Sequence, residues 1–342
     1  MFKISRVSFL LAFAATAMPA AAQLKQGEKP TAEQVATGEA PATKISEAET
    51  VYRGLSGSMV ARQWSTPAAE DLLAYIERAG EEGLDPAEYN PERIRSALAA
   101  RDQAAVNAAA TDSFLKLSAA LALGTVPMDA RLGWHLKDPD LDGAQQFALM
   151  EQAIQENSVR RTLESLLPTH LQYGELKGVL ANAKDHATKD AARVNLERWR
   201  WLPRELGARY VIVNVPAYTV ALVENGHVVA RHRGVVGSVK TPTPQLSAVA
   251  TGVIFNPWWE VPASIAPEVR GKKGYVTVKT PEGGVRYRQP PGPTNALGLM
   301  KVVMPNNYAI YLHDTPSKGL FSSNVRAASH GCIRTQDALG FA

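Results

Sequence analysis

Cys332 is the only cysteine in the 342-residue chain, and it stands in the run Ser329-His330-Gly331-Cys332-Ile333-Arg334. A thiolate is a strong nucleophile, but a free thiol with a pKa of about 8.5 is mostly protonated at neutral pH unless a nearby imidazolium stabilises the anion. Two histidines are at hand. His313 precedes Ser329 by sixteen positions, at the end of the apolar run Tyr308-Ala309-Ile310-Tyr311-Leu312. A strand there would carry an imidazole while a loop carries the thiol, which suits a Cys-His pair close in space and distant in sequence. The pairing is assigned to His313 rather than His330, because a strand can fix its orientation. Asp314 can hold the other ring nitrogen through its side chain or its carbonyl oxygen. Gly331 lets the backbone approach a bound carbonyl, and the amides near Gly331 and Cys332 are the candidate oxyanion donors. No metal or other cofactor is implied, since seven histidines and one cysteine form neither C-x-x-C nor H-E-x-x-H.

The elements around this loop fall into four stretches. Residues 1–22 hold Lys3 and Arg6, an apolar run from Val7 to Ala17 and Ala20-Ala21-Ala22 before Gln23. That pattern predicts a cleaved signal peptide and a periplasmic location, the run being well short of the roughly 20 apolar residues that span a bilayer. Residues 23–50 read as a flexible linker. Residues 51–192 read as a helical domain: Thr66-Pro67, Asp85-Pro86-Ala87-Glu88 and Asn90-Pro91 are helix starts, and Leu72, Leu73, Ile76 and later Phe114, Leu115 and Ser118 recur at helical spacing. Residues 193–342 change to a period of two, with strands over Tyr210–Val215 and Thr219–Val223, an Asn225-Gly226 turn, and strands over His227–Arg233, Ala248–Phe255, Met300–Met304 and Tyr308–His313. The fold class is therefore α+β, a helical domain followed by a mainly β, sandwich-like one.

Charge supports the division. Gln23 to Val194 holds 18 basic and 25 acidic residues, whereas Asn195 to Ala342 holds 17 and 8. A basic second half suits a carboxylate-bearing substrate. Without the leader the net charge falls from +4 to +2, which leaves little support for a nucleic-acid partner.

The run Ser329-His330-Gly331-Cys332 after His313, with Arg334 two places on, resembles the signature of the L,D-transpeptidase (YkuD-like) catalytic domain. Asn195-Leu196-Glu197-Arg198-Trp199-Arg200-Trp201-Leu202-Pro203, Phe255-Asn256-Pro257, Arg288-Gln289-Pro290-Pro291-Gly292-Pro293, Asn295-Ala296-Leu297-Gly298 and Leu312-His313-Asp314-Thr315-Pro316 resemble the large Gram-negative periplasmic branch, whose N-terminal scaffold domain the helical half resembles more faintly. The resemblance implies Cys332 as acylated nucleophile, His313 as general base and later acid, Asp314 as its neighbour, Ser329, His330 and Gly331 as residues that shape the site, and Arg334 as the contact to a substrate carboxylate. It implies a peptidoglycan L,D-transpeptidase that takes a donor tetrapeptide and an acceptor amine, makes 3→3 cross-links through a thioester, and reacts with carbapenems. An L,D-carboxypeptidase or a peptidoglycan-protein linkage enzyme would use the same site, and a non-catalytic cell-wall scaffold is the rival from another class. The branch often inserts a small peptidoglycan-binding domain, for which Leu176 to Arg193 leaves no room, and Ala266–Tyr287 is a short lid for it. The end of the chain ten residues after Cys332 carries the expectation that the C-terminal part of the catalytic domain is missing.

Overall fold

The computed structural model describes residues 7–11, 63–136 and 141–342. The linker over 23–50 and most of the leader lie outside the described residues. The chain divides into two compact units, a helical one ending at Glu205 and a mainly β one from Leu206 that also takes in Gly133–His135 and the strand at residues 7–11.

The helical unit contains α1 (Thr66–Glu77), α2 (Pro91–Ala100), α3 (Gln103–Leu123), α4 (Gly143–Gln155), α5 (Val159–Glu164), α6 (Leu171–Asn182) and α7 (His186–Trp199). Ser65, one residue before the expected cap, accepts from the Ala68 amide and leaves Thr66-Pro67 as the first turn. α3 is apolar on every side and buried along most of its length, so it forms the axis around which Leu72, Ile76, Ile94 and Met150 pack. The boundary expected at residues 192/193 falls inside α7. Ala192, Leu196 and Trp199 are all buried on one face of that helix, so the helical period outlasts the change in charge, and the unit closes at Glu205.

The Asn195–Pro203 block belongs to this unit and ties it together. Arg200 is 1 % exposed; it donates to the Glu197 carboxylate at 3.0 Å, to the Tyr173 hydroxyl at 3.3 Å and to the carbonyl of Glu82. The Glu82 carboxylate in turn takes the Tyr173 hydroxyl at 2.9 Å and the Lys177 ammonium. Glu197 also accepts the amides of Thr125 and Val126, at 2.6 and 2.8 Å.

The β unit holds β1 (Val7–Leu11), β2 (Arg209–Asn214), β3 (Thr219–Glu224), β4 (His227–Gly237), β5 (Ser247–Ala250), β6 (Gly252–Phe255), β10 (Met300–Val303), β11 (Leu312–His313), β12 (Ala327–Ser329) and β13 (Ile333–Thr335) in one sheet. The order is β5-β1-β2-β3-β4-β13-β11-β10-β6, with β12 also on β4. Only Thr251 separates β5 from β6, so the two ends of the sheet are neighbours along the chain. Both arms meet in one core: Val211 and Val220 come from one side, Met300, Leu312 and Ile333 from the other. The expected hairpin forms, with Asn225 and Gly226 at φ 49° and 79°. A second sheet of β7 (Trp259–Glu260), β9 (Val285–Gln289) and β8 (Val276–Lys279) carries the short helix α8 (Ala266–Val269).

One expectation needs correction. The strand expected over Tyr308–His313 is reduced to Leu312–His313, because Ala309 takes a positive φ of 54° and the Asn306 side chain bonds the amides of Tyr308 and Ile310 in place of a ladder. Residues 7–11, within the segment expected as a leader, are placed as β1, parallel to β2 and antiparallel to β5.

Candidate active site

The nucleophile loop is a tight reversal between two strands that share a neighbour. β12 runs parallel to β4 at Val236 and Gly237, and β13 returns antiparallel to it at Val235 and Gly234. Ser329 closes the reversal: its hydroxyl donates to the Cys332 carbonyl at 2.6 Å and accepts from the Gly331 amide at 3.1 Å. Thr243 braces it from outside by donating to the Gly331 carbonyl at 2.8 Å. Gly331 has φ 110°, and a Cβ there would stand 3.0 Å from Ile310 Cδ1, so this position needs glycine.

Alternation along the strands sets the face. Met300, Val302, Leu312 and Ile333 point into the core, so Lys301, His313 and Arg334 occupy the other side. The register places these three in one row across β10, β11 and β13: Lys301 pairs with His313, and His313 with Arg334. Tyr311 and Cys332, one residue before Leu312 and Ile333, share that face, and the Ile333 amide donates to the Tyr311 carbonyl at 3.0 Å.

His313 is buried, and its Nδ1–H donates to the carbonyl oxygen of Asp314. This leaves Nε2 as the basic nitrogen. Burial, with Arg334 and Lys301 adding to it, pushes the imidazole pKa down to about 3 against the opposing pull of Asp314. The ring is therefore neutral and not the imidazolium expected from sequence. The Asp314 carboxylate faces elsewhere, accepting from the Leu299 amide at 2.9 Å and from Lys318.

Burial pushes the Cys332 thiol above its ordinary pKa; hydrogen bonds with Tyr311 and the charges of Lys301 and Arg334 pull it back down. The thiol donates to the Ala309 carbonyl at 3.7 Å. Arg334 Nε is buried without a hydrogen-bond partner, leaving a donor for a ligand on this face.

Two loop residues depart from their expected roles. The Gly331 amide is engaged by Ser329 and cannot serve as an oxyanion donor, which leaves the Cys332 amide. His330 is half exposed and turns to Glu268 of α8 at 3.0 Å, so it ties the loop to that helix and stands apart from the row. Sequence reasoning missed three residues. Lys301 was readable only as a lone charge in the apolar run Met300–Met304, Tyr311 from its place two before His313, and Trp259, which acts on the Tyr311 phenol, as half of the aromatic pair Trp258-Trp259, which reads as a core or domain-junction anchor.

Residues 208–342 match the family described as L,D-transpeptidase catalytic domain, and residues 60–180 match the family described as Scaffold domain. Residues 208–342 are thus similar to that catalytic domain. It is 26% identical over 234 residues to a Haemophilus influenzae relative whose name assigns it to the L,D-transpeptidases; the match covers 59% of this chain and 47% of that protein, so the chain spans about half the relative's length. Among solved structures, LD transpeptidase LdtMt1 in complex with imipenem is 18% identical, with 39% of this chain and 52% of that one covered and a TM-score of 0.25. A cysteine-to-serine mutant of the Enterococcus faecium L,D-transpeptidase is 20% identical, with 40% and 45% covered and a TM-score of 0.21.

Proposed function

We propose that this protein is an exported peptidoglycan L,D-transpeptidase in which Cys332 is the acylated nucleophile. The observation that carries the reading is the row Lys301–His313–Arg334, which sets a neutral base and an unpartnered guanidinium donor on the face where the loop presents the thiol. The donor is a tetrapeptide stem, and Arg334 takes one of its carboxylates. Entry of the donor replaces the Ala309 contact, Nε2 of His313 removes the thiol proton, and sulfur attacks the carbonyl on the L-centre of diaminopimelate. The oxyanion forms at the Cys332 amide. Collapse breaks the C–N bond, the imidazolium returns the proton to the departing D-alanine, and a thioester remains. The side-chain amine of a second stem then attacks the thioester, gives its proton to His313 and releases the thiol, leaving a 3→3 cross-link.

Carbapenems fit the same chemistry, since their strained amide needs only the thiolate and the oxyanion donor. Periplasmic location rests on residues 1–22, and N-terminal sequencing of the exported protein should begin at Gln23. The activity is tested with purified disaccharide-tetrapeptide. Dimers linked 3→3 support the reading, whereas tripeptide alone would make the enzyme a carboxypeptidase.

A further inference from the structure

Lys301 is an odd residue to find in β10. Its neighbours Met300 and Val302 are core residues, and it is itself partly buried. An ammonium drawn out of water normally brings a carboxylate with it. Among the described residues Lys301 makes no ion pair; Glu260 of β7, whose charge acts on it, is bonded to Arg288 at 2.6 Å. Its Nζ instead sits 4.0 Å from the ring centroid of Tyr311, a contact that fixes a cation but does not neutralise it.

Tyr311 is also the residue closest in register to the thiol. Leu312 pairs with Ile333, which sets Tyr311 level with Cys332, and the Tyr311 ring meets the His313 ring edge-on at 5.5 Å. The aromatic ring is thus a bracket between a standing cation and the sulfur. The charged and titratable groups around Cys332 are Lys301 on β10, Tyr311 and His313 on β11 and Arg334 on β13; His313 is neutral, so the positive charge there comes from Lys301 and Arg334. Arg334 is also the group with a free donor for substrate.

We propose that Lys301 is a positioning residue for the nucleophile, an ammonium clamped on the Tyr311 ring that stabilises the Cys332 thiolate and so performs the task a catalytic imidazolium would otherwise perform. This leaves His313 neutral and available as the base in both half-reactions. The proposal rests on Cys332 being the nucleophile, but it does not depend on the acceptor or on peptidoglycan.

The test is the pH profile of Cys332 alkylation by iodoacetamide, followed by intact mass on the full chain, for the wild type, Lys301→Met, Lys301→Gln and Lys301→Arg. Loss of the cation should move the midpoint up by about one unit in both neutral variants, about a tenfold slower reaction at neutral pH, with the same plateau at high pH. Lys301→Arg should stay within about twofold of the wild type, since it keeps the charge and the aromatic contact. Gln beside Met separates charge from packing, because a packing defect would follow side-chain shape and alter the plateau. A wild-type midpoint in Lys301→Met and Lys301→Gln, or an equal shift in Lys301→Arg, would overturn the proposal. A failure to cross-link stem peptides with the shifted profile intact would count against the proposed function alone.

Discussion

The imidazole of His313 is held by the backbone carbonyl of Asp314, while the Asp314 carboxylate is engaged with the Leu299 amide and Lys318. The orienting group of the base is therefore main chain, and the aspartate side chain braces the turn behind it.

That arrangement separates two mutants. His313→Ala should lower the acylation rate by about 10²–10⁴, the usual contribution of a positioned base. Asp314→Asn should lower it by less than about tenfold while reducing stability by about 1–3 kcal/mol, because a buried charged hydrogen-bond pair is weakened. Although burial alone would raise it, the Asp314 pKa is held below the ordinary value by Lys318 and the amides of Leu299 and Thr315. Its stabilising effect is therefore present above the unfolded value of about 3.9 and is lost as pH falls through the lower folded value. Thermal melts of wild type and Asp314→Asn should converge in acid and separate near neutrality; a constant gap at every pH would contradict this.

Ser329→Ala removes the hydroxyl that joins the Gly331 amide to the Cys332 carbonyl. Leaving both groups without that partner should cost about 1–3 kcal/mol of local order. The nucleophile loop should lose amide-exchange protection and kcat should fall, with His330→Ala, which breaks only the exposed contact to Glu268, much milder in the same assays. Equal effects from the two substitutions would show that His330 has a role at the reacting atoms.

Carbapenem acylation should give one adduct per chain, on Cys332. Its rate should rise with pH into the alkaline range, since burial raises the thiol pKa and His313, with its pKa near 3, is already neutral throughout. A fall in rate that tracks loss of an imidazolium between pH 6 and 8 would contradict the neutral-base assignment.

In the helical unit, Arg200→Met should lower stability by about 3–5 kcal/mol, because Glu197, Tyr173 and the Glu82 carbonyl all lose a buried cationic partner. Arg78→Ala, which breaks an exposed pair with Glu81, should leave the melt unchanged. Differential scanning calorimetry reads both.

Cys332 and His313 stood out as candidates because a loop thiol and a strand-end imidazole announce themselves by residue type and spacing. Which ring nitrogen of His313 stays free could not be read, since Asp314 offers two acceptors and only the folded turn selects its carbonyl. The oxyanion donors were misjudged at Gly331 for a similar reason: a Ser329 hydroxyl folding back two residues leaves no periodic trace. The break at Val194 followed charge, but side-chain charge does not end a helix whose apolar face continues to Trp199. Ala309 hid the end of its strand, because a positive φ at alanine cannot be read from composition.

The most direct test of the whole account is intact-mass and muropeptide analysis of the protein and its Cys332→Ala variant, each incubated with disaccharide-tetrapeptide. The wild type should carry a transient acyl mass on Cys332, release D-alanine and yield dimers linked 3→3, and the variant should do none of these. Dimer formation by Cys332→Ala, or an acyl mass mapped to any other residue, would contradict the account.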